Sequence, residues 1–243
     1  MAILEAHETK QSNGVSISNM LKDVNLDNVG KFSIYAYTVQ MKFTRFVIGI
    51  SPKEDTIFIN NNNIDDEEIY EFLDASIANV ATVENFAVAK YYLERLFFNI
   101  TTHGKLEFTY RDSFLISSSE LSKKMKVSRS TIMRYVENGM EKVEGAGHKC
   151  YPKHNAFYWK DGIWPLRIQA LQEQFKVRNR TDESLIKEIR EQIEEYEKLY
   201  GGEFEEVFEN VINGETNIYD LEEPDDYKDW LDLIKDLDKV RGK

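Results

Sequence analysis

The sequence has little of what several classes of protein need. Cys150 is the single cysteine, so no disulfide can form within the chain, and a reducing compartment fits this composition. No apolar run approaches the roughly 20 residues of a membrane-spanning helix, and Met1–Gln11 lacks the basic and apolar sections of a signal peptide. The sequence therefore predicts a soluble, cytoplasmic protein that does not enter a membrane.

Patterns that carry chemistry are also missing. There is no glycine-rich loop with lysine that would cradle a phosphate, which argues against an ATP-driven motor. No nucleophile has an identifiable base and orienting group, so we expect neither an enzyme nor a cofactor. His148, Cys150 and His154 are zinc-ligand types, but a structural zinc takes four ligands and a β wing explains these residues better, so we predict no metal.

Positive charge is concentrated in one block of an otherwise acidic chain. The formal net charge is −12. Residues 1–115 contain 10 Lys and Arg against 16 Asp and Glu, residues 116–180 contain 13 against 6, and residues 181–243 contain 8 against 21. A basic block between acidic flanks indicates a module that binds a polyanion. The flanks would repel phosphate backbones at long range and so reduce indiscriminate adhesion.

The region before this block predicts a flexible arm over residues 1–29, with at most a short helix around Ser18–Val24, and a small α+β domain over residues 30–115. Phe32–Ile50 and Thr56–Ile59 have the composition of strands, and the proline turn between them predicts a β-hairpin. The other elements predicted in this domain are a helix with Asp65–Glu68 at its start, a helix over Val83–Phe98 and a strand over Lys105–Tyr110.

Residues 116–164 carry the most informative pattern. Ser117 and Glu120 have the spacing of a capping box that opens a short helix. Ser128 can cap a second helix over Arg129–Asn138, and Gly139 suits the position that ends it. Two short helices joined in this way predict a helix-turn-helix.

Two extended pieces follow this motif, Met140–Val143 and Cys150–Pro152, and flank a glycine-rich tip, which predicts a β wing. The first residues of the second helix enter the major groove in proteins of this kind. Arginine can bond guanine through two hydrogen bonds, and serine and threonine hydroxyls bond phosphates. The predicted interface with double-stranded DNA consists of the second helix and the basic wing residues: Ser128, Arg129, Ser130, Thr131, Arg134, His148, Lys149 and Lys153.

A resemblance to a known family rests on the run Glu137–Met140, Gly145, Gly147, Tyr151 and Trp159. These residues resemble the winged helix-turn-helix of phage terminase small subunits, and MerR-like and excisionase-like DNA-binding domains are similar in the same places. The resemblance covers about 45 residues and its motif is loose. It implies recognition of viral DNA for packaging, self-assembly through a following helical segment, and binding of the large terminase subunit through an acidic or apolar tail. Glu141 stands where the family often has proline, and about 115 residues precede the winged segment here.

The acidic C-terminal region predicts helices with one apolar side. We interpret residues 165–202 as a helical oligomerisation segment and residues 203–243 as an acidic helical tail for partner docking. The first contains a coiled-coil-like stripe that suits either the seam of a homo-oligomer or packing within one chain: Ile186, Ile189, Ile193, Tyr196 and Tyr200. The tail has an apolar face that suits a protein partner or a simple surface helix: Tyr227, Trp230, Leu231 and Ile234.

The sequence thus predicts an α+β protein with an N-terminal α+β domain, a central winged helix-turn-helix and a helical acidic C-terminal region. The leading functional hypothesis is a sequence-specific DNA-binding protein in the role of a phage terminase small subunit, which would place it in the bacterial host cytoplasm. The alternative is a transcription or replication regulator whose N-terminal domain serves as dimeriser or sensor.

Overall fold

The computed structural model describes residues 16–22, 24, 26–59, 66–160 and 162–242. The chain forms two compact units, one up to Asn179 and one from Arg180 onward. The fold is α+β with a helical C-terminal region, which confirms the predicted class. No helix within the described ranges is long and apolar enough to cross a membrane. Residues 1–15, 23 and 25 of the arm predicted over residues 1–29, and Asp65, lie outside the described residues.

The first unit contains eight helices and six strands within its described residues. In chain order they are α1 (Ile17–Lys22), α2 (Asn28–Lys42), β1 (Val47–Pro52), β2 (Ile57–Phe58), α3 (Glu67–Ala78), α4 (Val83–Asn99), β3 (Thr101–His103), β4 (Leu106–Tyr110), β5 (Leu115–Ser117), α5 (Ser118–Met125), α6 (Arg129–Glu137), β6 (Lys149–Pro152), α7 (Asn155–Tyr158) and α8 (Ile163–Arg178). The strands form three two-stranded antiparallel ladders, β1 with β4, β2 with β3, and β5 with β6.

The prediction of a β-hairpin between Phe32–Ile50 and Thr56–Ile59 is wrong. Most of Phe32–Ile50 is helix α2, capped by the Asp27 carboxylate, which accepts a hydrogen bond from the Gly30 amide. The residues that suggested a strand lie at helical spacing and are buried together on one side: Phe32, Tyr35, Ala36 and Val39. Packing of this side against α3 and α4 therefore outweighs the strand preference of its aromatic residues.

Part of the predicted flexible arm is also fixed in place. Helix α1 lies close to the predicted position, and the Asp74 carboxylate of α3 accepts hydrogen bonds from the Ser16 and Ser18 hydroxyls, both at 2.6 Å. The side chain of Asp74 thus caps α1 from another helix, since it also accepts from the Ser18 amide at 3.1 Å. Residues 16–22 belong to the first unit rather than to a free arm.

One hydrophobic core runs through the whole first unit, with α4 at its centre. Phe86, Leu93 and Phe97 of α4 are fully buried, and the same core includes Ile132 of α6 and Leu171 of α8. Residues 30–115 and 116–164 are therefore not separately packed domains. Helix α8, most of which belongs to the predicted oligomerisation segment over residues 165–202, contributes to this core as well.

The second unit consists of α9 (Asp182–Tyr200), α10 (Phe204–Val207), α11 (Glu209–Ile212) and α12 (Pro224–Arg241). Thr181 caps α9 by accepting a hydrogen bond from the Ser184 amide, and Gly201 ends it with a φ of +75°. The core of this unit forms around Trp230, which has no exposed surface, with Phe204 and Phe208.

This packing corrects two predictions about binding surfaces. The stripe of α9 and the apolar face of α12 pack against the Trp230 core within the chain: Ile193, Tyr196, Tyr200, Tyr227, Leu231 and Ile234. Ile189 is buried too, and Ile186 is half-buried. The residues assigned to an oligomer seam and those assigned to partner docking thus cover each other. Contact within one chain carries no loss of translational freedom, which favours it over the same contact between chains.

Candidate nucleic-acid interface

The helix-turn-helix has the two caps that the sequence predicts. The Ser117 hydroxyl accepts from the Glu120 amide at 3.2 Å, and the Glu120 carboxylate accepts from the Ser117 amide at 2.9 Å, which completes the capping box of α5. The Ser128 hydroxyl accepts from the Thr131 amide at 3.0 Å and caps α6. Gly139 follows α6 with a φ of +95°, a conformation that glycine adopts without strain.

The turn between the helices contains an unusual backbone conformation. Lys126 ends α5 with φ 58° and ψ 41°, and it is the one non-glycine residue with positive φ among the described residues. The Ser122 hydroxyl donates to the Val127 carbonyl at 2.6 Å and holds the turn. Leu121 and Ile132, one from each helix, are fully buried, so the pair of helices is attached to the core of the first unit.

Helix α6 has one exposed side and one buried side. Its exposed residues follow helical spacing: Arg129, Ser130, Met133, Arg134 and Glu137. At the start of α6 the Ser128 hydroxyl lies 2.7 Å from that of Ser130 and 2.8 Å from that of Thr131, so three hydroxyls gather there. The sequence interpretation placed Arg134 near the start of the helix, but it lies in the last turn. It missed Met133, which helical spacing from Arg129 would have identified.

The wing differs from its prediction. Strand β6 pairs with β5, upstream of the helix-turn-helix, and Met140–Val143 is not a strand. A single hydrogen bond, from the Val143 amide to the Cys150 carbonyl at 2.8 Å, joins that segment to β6. Residues 144–148, which we call the wing loop, turn through Gly145 and Gly147 with φ of +74° and +65°. The β5 register was not recognisable locally because the two strands lie far apart in sequence.

The basic wing residues lie beside α5 rather than at the tip alone. Lys149 pairs with Ser117 across the ladder, which places it next to the α5 cap. The pKa of the Glu120 carboxyl is lowered mainly by hydrogen bonds from Ser117, and the positive charges of Lys149 and Lys153 lower it further. The Lys153 ammonium donates a hydrogen bond to the Ser113 carbonyl at 2.7 Å, which uses one of its three N–H donors. His148 is exposed at the end of the wing loop.

The basic groups of this region lack carboxylate partners. In the described part of the chain no ion pair within 4.0 Å involves Arg129, Arg134 or Lys149, whereas the lysines of the second unit are mostly paired with neighbouring acids. The same is true of exposed lysines that the sequence interpretation did not single out, Lys123 and Lys124 in the last turn of α5. Unpaired exposed cations on neighbouring elements form a surface that attracts polyanions.

The sequence interpretation missed a mostly buried polar cluster that joins α4 and β4 to the segment after α6: Lys90, Glu94, Tyr110, Glu141 and His154. We call it the Glu141 cluster. The Glu141 carboxylate accepts from the Tyr110 hydroxyl at 2.8 Å, is 2.9 Å from His154 Nε2 and is 3.4 Å from Lys90 Nζ. Lys90 Nζ also lies 2.6 Å from a Glu94 oxygen.

Burial and the neighbouring charges shift the pKa values of the cluster members in different directions. Burial opposes ionisation of Glu141, but Lys90, His154 and Tyr110 together hold its pKa well below the usual range. Burial raises the pKa of Glu94, and Lys90 offsets this only in part. Burial lowers the pKa of His154, which favours its neutral form despite the nearby carboxylate. The Lys90 pKa is raised because two carboxylates outweigh the effect of its burial.

Neither a candidate metal site among the described residues nor a similar known protein was found for this chain. Within the described ranges no group of three or more His, Cys, Asp or Glu side chains could hold a metal ion. His154 is engaged by Glu141, Cys150 is buried and His148 is exposed. Neither protein-family models, nor curated proteins, nor solved structures match this chain. Any functional assignment therefore rests on the geometry and charge described above.

Proposed function

We propose that this chain is a sequence-specific double-stranded DNA-binding protein in which α6, the recognition helix, reads the major groove. The observation that carries this proposal is the exposure of Arg129 and Arg134 on one side of a capped helix with no carboxylate partner. An arginine free of ion pairs keeps its planar donors available for two hydrogen bonds to guanine. Arg129 and Arg134 are thus the base-contacting residues of the proposal.

The dimensions and chemistry of α6 suit this role. Its nine residues make a helix about 13 Å long, comparable to the roughly 12 Å width of the major groove. The three hydroxyls of Ser128, Ser130 and Thr131 suit a phosphate, and the exposed Met133 suits a thymine methyl group. Lys149, Lys153 and His148 would then lie along an adjacent stretch of backbone.

The proposed biological role is that of a phage terminase small subunit, which the resemblance of residues 137–159 favours. Such a role requires self-association and a large terminase subunit as partner. Because the α9 stripe is used within the chain, self-association needs another surface. Helix α8 offers one, since Ile163, Leu166 and Val177 on its outer side are more than half exposed.

A transcription or replication regulator is the second candidate. The observation that favours it is the continuous core that joins α4 to the recognition helix. A ligand or partner bound by the N-terminal half could act on DNA binding through that core. A regulator predicts a dimer and a footprint with half-sites about one helical turn apart, whereas a packaging subunit predicts a ring-sized assembly in light scattering.

The test of DNA binding replaces both arginines with alanine. We expect the purified wild type to enrich a sequence from random duplexes, and the R129A/R134A variant to lose that binding while keeping its circular dichroism spectrum. The matched control is R190A/R241A, which removes the same charge from exposed positions of the second unit. Wild-type affinity should also fall steeply with salt. Equal affinity of the R129A/R134A variant, or a flat salt response, would exclude the proposed interface.

A further inference from the structure

The segment between the recognition helix and the wing loop has little backbone support. It runs from Met140 to Val143, and its only ladder-like bond is the one from the Val143 amide to Cys150. Open space surrounds Gly145 and Gly147, and the wing loop packs against the core of the first unit through the partly buried Ala146. Side chains must therefore supply most of the attachment of this segment, and Met140 and Val143 contribute apolar packing against the same core.

Glu141 makes the polar side-chain contacts of this segment with other elements. Its carboxylate contacts Lys90 on α4, Tyr110 on β4 and His154 next to α7. Its carbonyl oxygen accepts from the Asn155 side-chain amide at 2.8 Å. A single residue thus binds the connecting segment to three parts of the first unit.

The partners of Glu141 are themselves rigidly held. Lys90 and His154 are almost completely buried, and the His154 ring packs against Phe86 and Phe114. Lys90 also retains Glu94 as an ion-pair partner at 2.6 Å. Glu141, in contrast, has a side chain that is 31% exposed. Loss of its charge would free the connecting segment while leaving Lys90 paired inside the core.

We propose that Glu141 is a positioning residue, which fixes the wing loop and Lys149 relative to the recognition helix by clamping the connecting segment to α4 and β4. The consequence for nucleic acid rests on the proposed function, but the positioning itself does not. Through these contacts the N-terminal half of the first unit determines the position of the wing loop.

The test compares two neutralising substitutions three residues apart. Glu141→Gln keeps the volume of the side chain and removes its charge. The matched control is Glu144→Gln, which removes the same charge from an exposed carboxylate of the wing loop. Hydrogen exchange of the free protein should become at least tenfold faster across residues 142–149 in E141Q and stay unchanged in E144Q. Exchange in α4 should stay slow in both variants.

DNA affinity provides a second readout, in which the two substitutions should change binding in opposite directions. Removal of a negative charge near DNA should strengthen binding by simple electrostatics, and E144Q is expected to show this. E141Q should instead bind roughly tenfold more weakly, with the salt slope reduced by about one because the Lys149 contact is lost. A merely electrostatic role for Glu141 would give both variants the same sign.

The results of these experiments decide whether Glu141 positions the wing loop. Unchanged exchange across residues 142–149 in folded E141Q would overturn the positioning role. If E141Q fails to fold, Tyr110→Phe, which removes one donor to Glu141 and leaves Lys90 in place, takes its place with a smaller acceleration expected and the same refuting result. If the wild type binds no duplex, the proposed function fails, and hydrogen exchange still decides the role of Glu141.

Discussion

Replacement of Trp230 by alanine should strongly destabilise the second unit while leaving the stability of the first unchanged. Trp230 has no exposed surface, and its ring lies 5.4 Å from those of Tyr196 and Phe204, 5.8 Å from Tyr200 and 5.9 Å from Phe208. Truncation of such a buried aromatic side chain costs about 3–5 kcal/mol. A unit the size of Arg180–Lys243 has a free energy of unfolding of roughly 3–10 kcal/mol at the usual value per residue. The substitution therefore removes from about a third to all of the free energy that stabilises the unit.

The assay is thermal unfolding followed by far-ultraviolet circular dichroism. In W230A we expect a separate transition at lower temperature whose amplitude corresponds to the loss of α9 and α12. Trp230→Phe should recover part of the stability, because it keeps an aromatic ring in the same site. The control is Leu199→Ala on α9, where the side chain is 70% exposed and the expected change is within about 0.5 kcal/mol.

Two results would refute this reasoning. A single transition in W230A that includes the helices of the first unit would show that the two units do not unfold separately. An unchanged transition would show that the α9 stripe and the α12 face do not depend on Trp230 for their packing. The second result would return those residues to the surfaces for self-association and partner docking that the sequence suggested.

Two further predictions concern the turn of the helix-turn-helix and the Glu141 cluster. Lys126→Gly should raise the free energy of unfolding by about 1 kcal/mol, since glycine adopts the left-handed conformation without the cost that lysine bears, and Lys126→Ala should give no such gain; chemical denaturation checks both. Stability should also fall as the pH drops below about 6.5, because burial lowers the pKa of His154 and the unfolded chain then binds a proton that the folded chain does not. The pKa of Glu141 is lowered too, so this residue should add to the loss of stability below about pH 4.3, whereas the raised pKa of Glu94 opposes the loss. The measurement is the urea midpoint between pH 4 and 8. A midpoint that does not change over this range would contradict the burial of His154.

Local chemistry explains which parts of the fold could be predicted from the sequence. The caps at Ser117 and Ser128 depend on residues three positions apart, and both are present as predicted. Helix α4 follows its apolar spacing within one residue of the prediction. Helix α2 also has a signal in the sequence, since Phe32, Tyr35 and Val39 recur at helical spacing, but its many aromatic and β-branched residues favour a strand.

The parts that could not be predicted depend on contacts between distant residues. Strand β6 pairs with residues on the far side of the helix-turn-helix, so a local search for a second wing strand finds the wrong partner. The contact of Glu141 with Lys90 joins residues about 50 positions apart, and the sequence showed only that glutamate stood at an unexpected position. The α9 stripe was visible in the sequence, but a periodic pattern does not reveal which surface covers it.

The short length of α5 and α6 gives the N-terminal half a role that the charge pattern alone does not suggest. Helices α5 and α6 have eight and nine residues, well below the length at which an isolated helix is stable in water. Their stability must come from tertiary packing, and Leu121 and Ile132 supply it by joining the core that α4 organises. The Glu141 carboxylate also connects α4, through Lys90, to the segment that leads into the wing loop. An acidic region that repels DNA at long range is therefore also the scaffold without which the basic helices would not form.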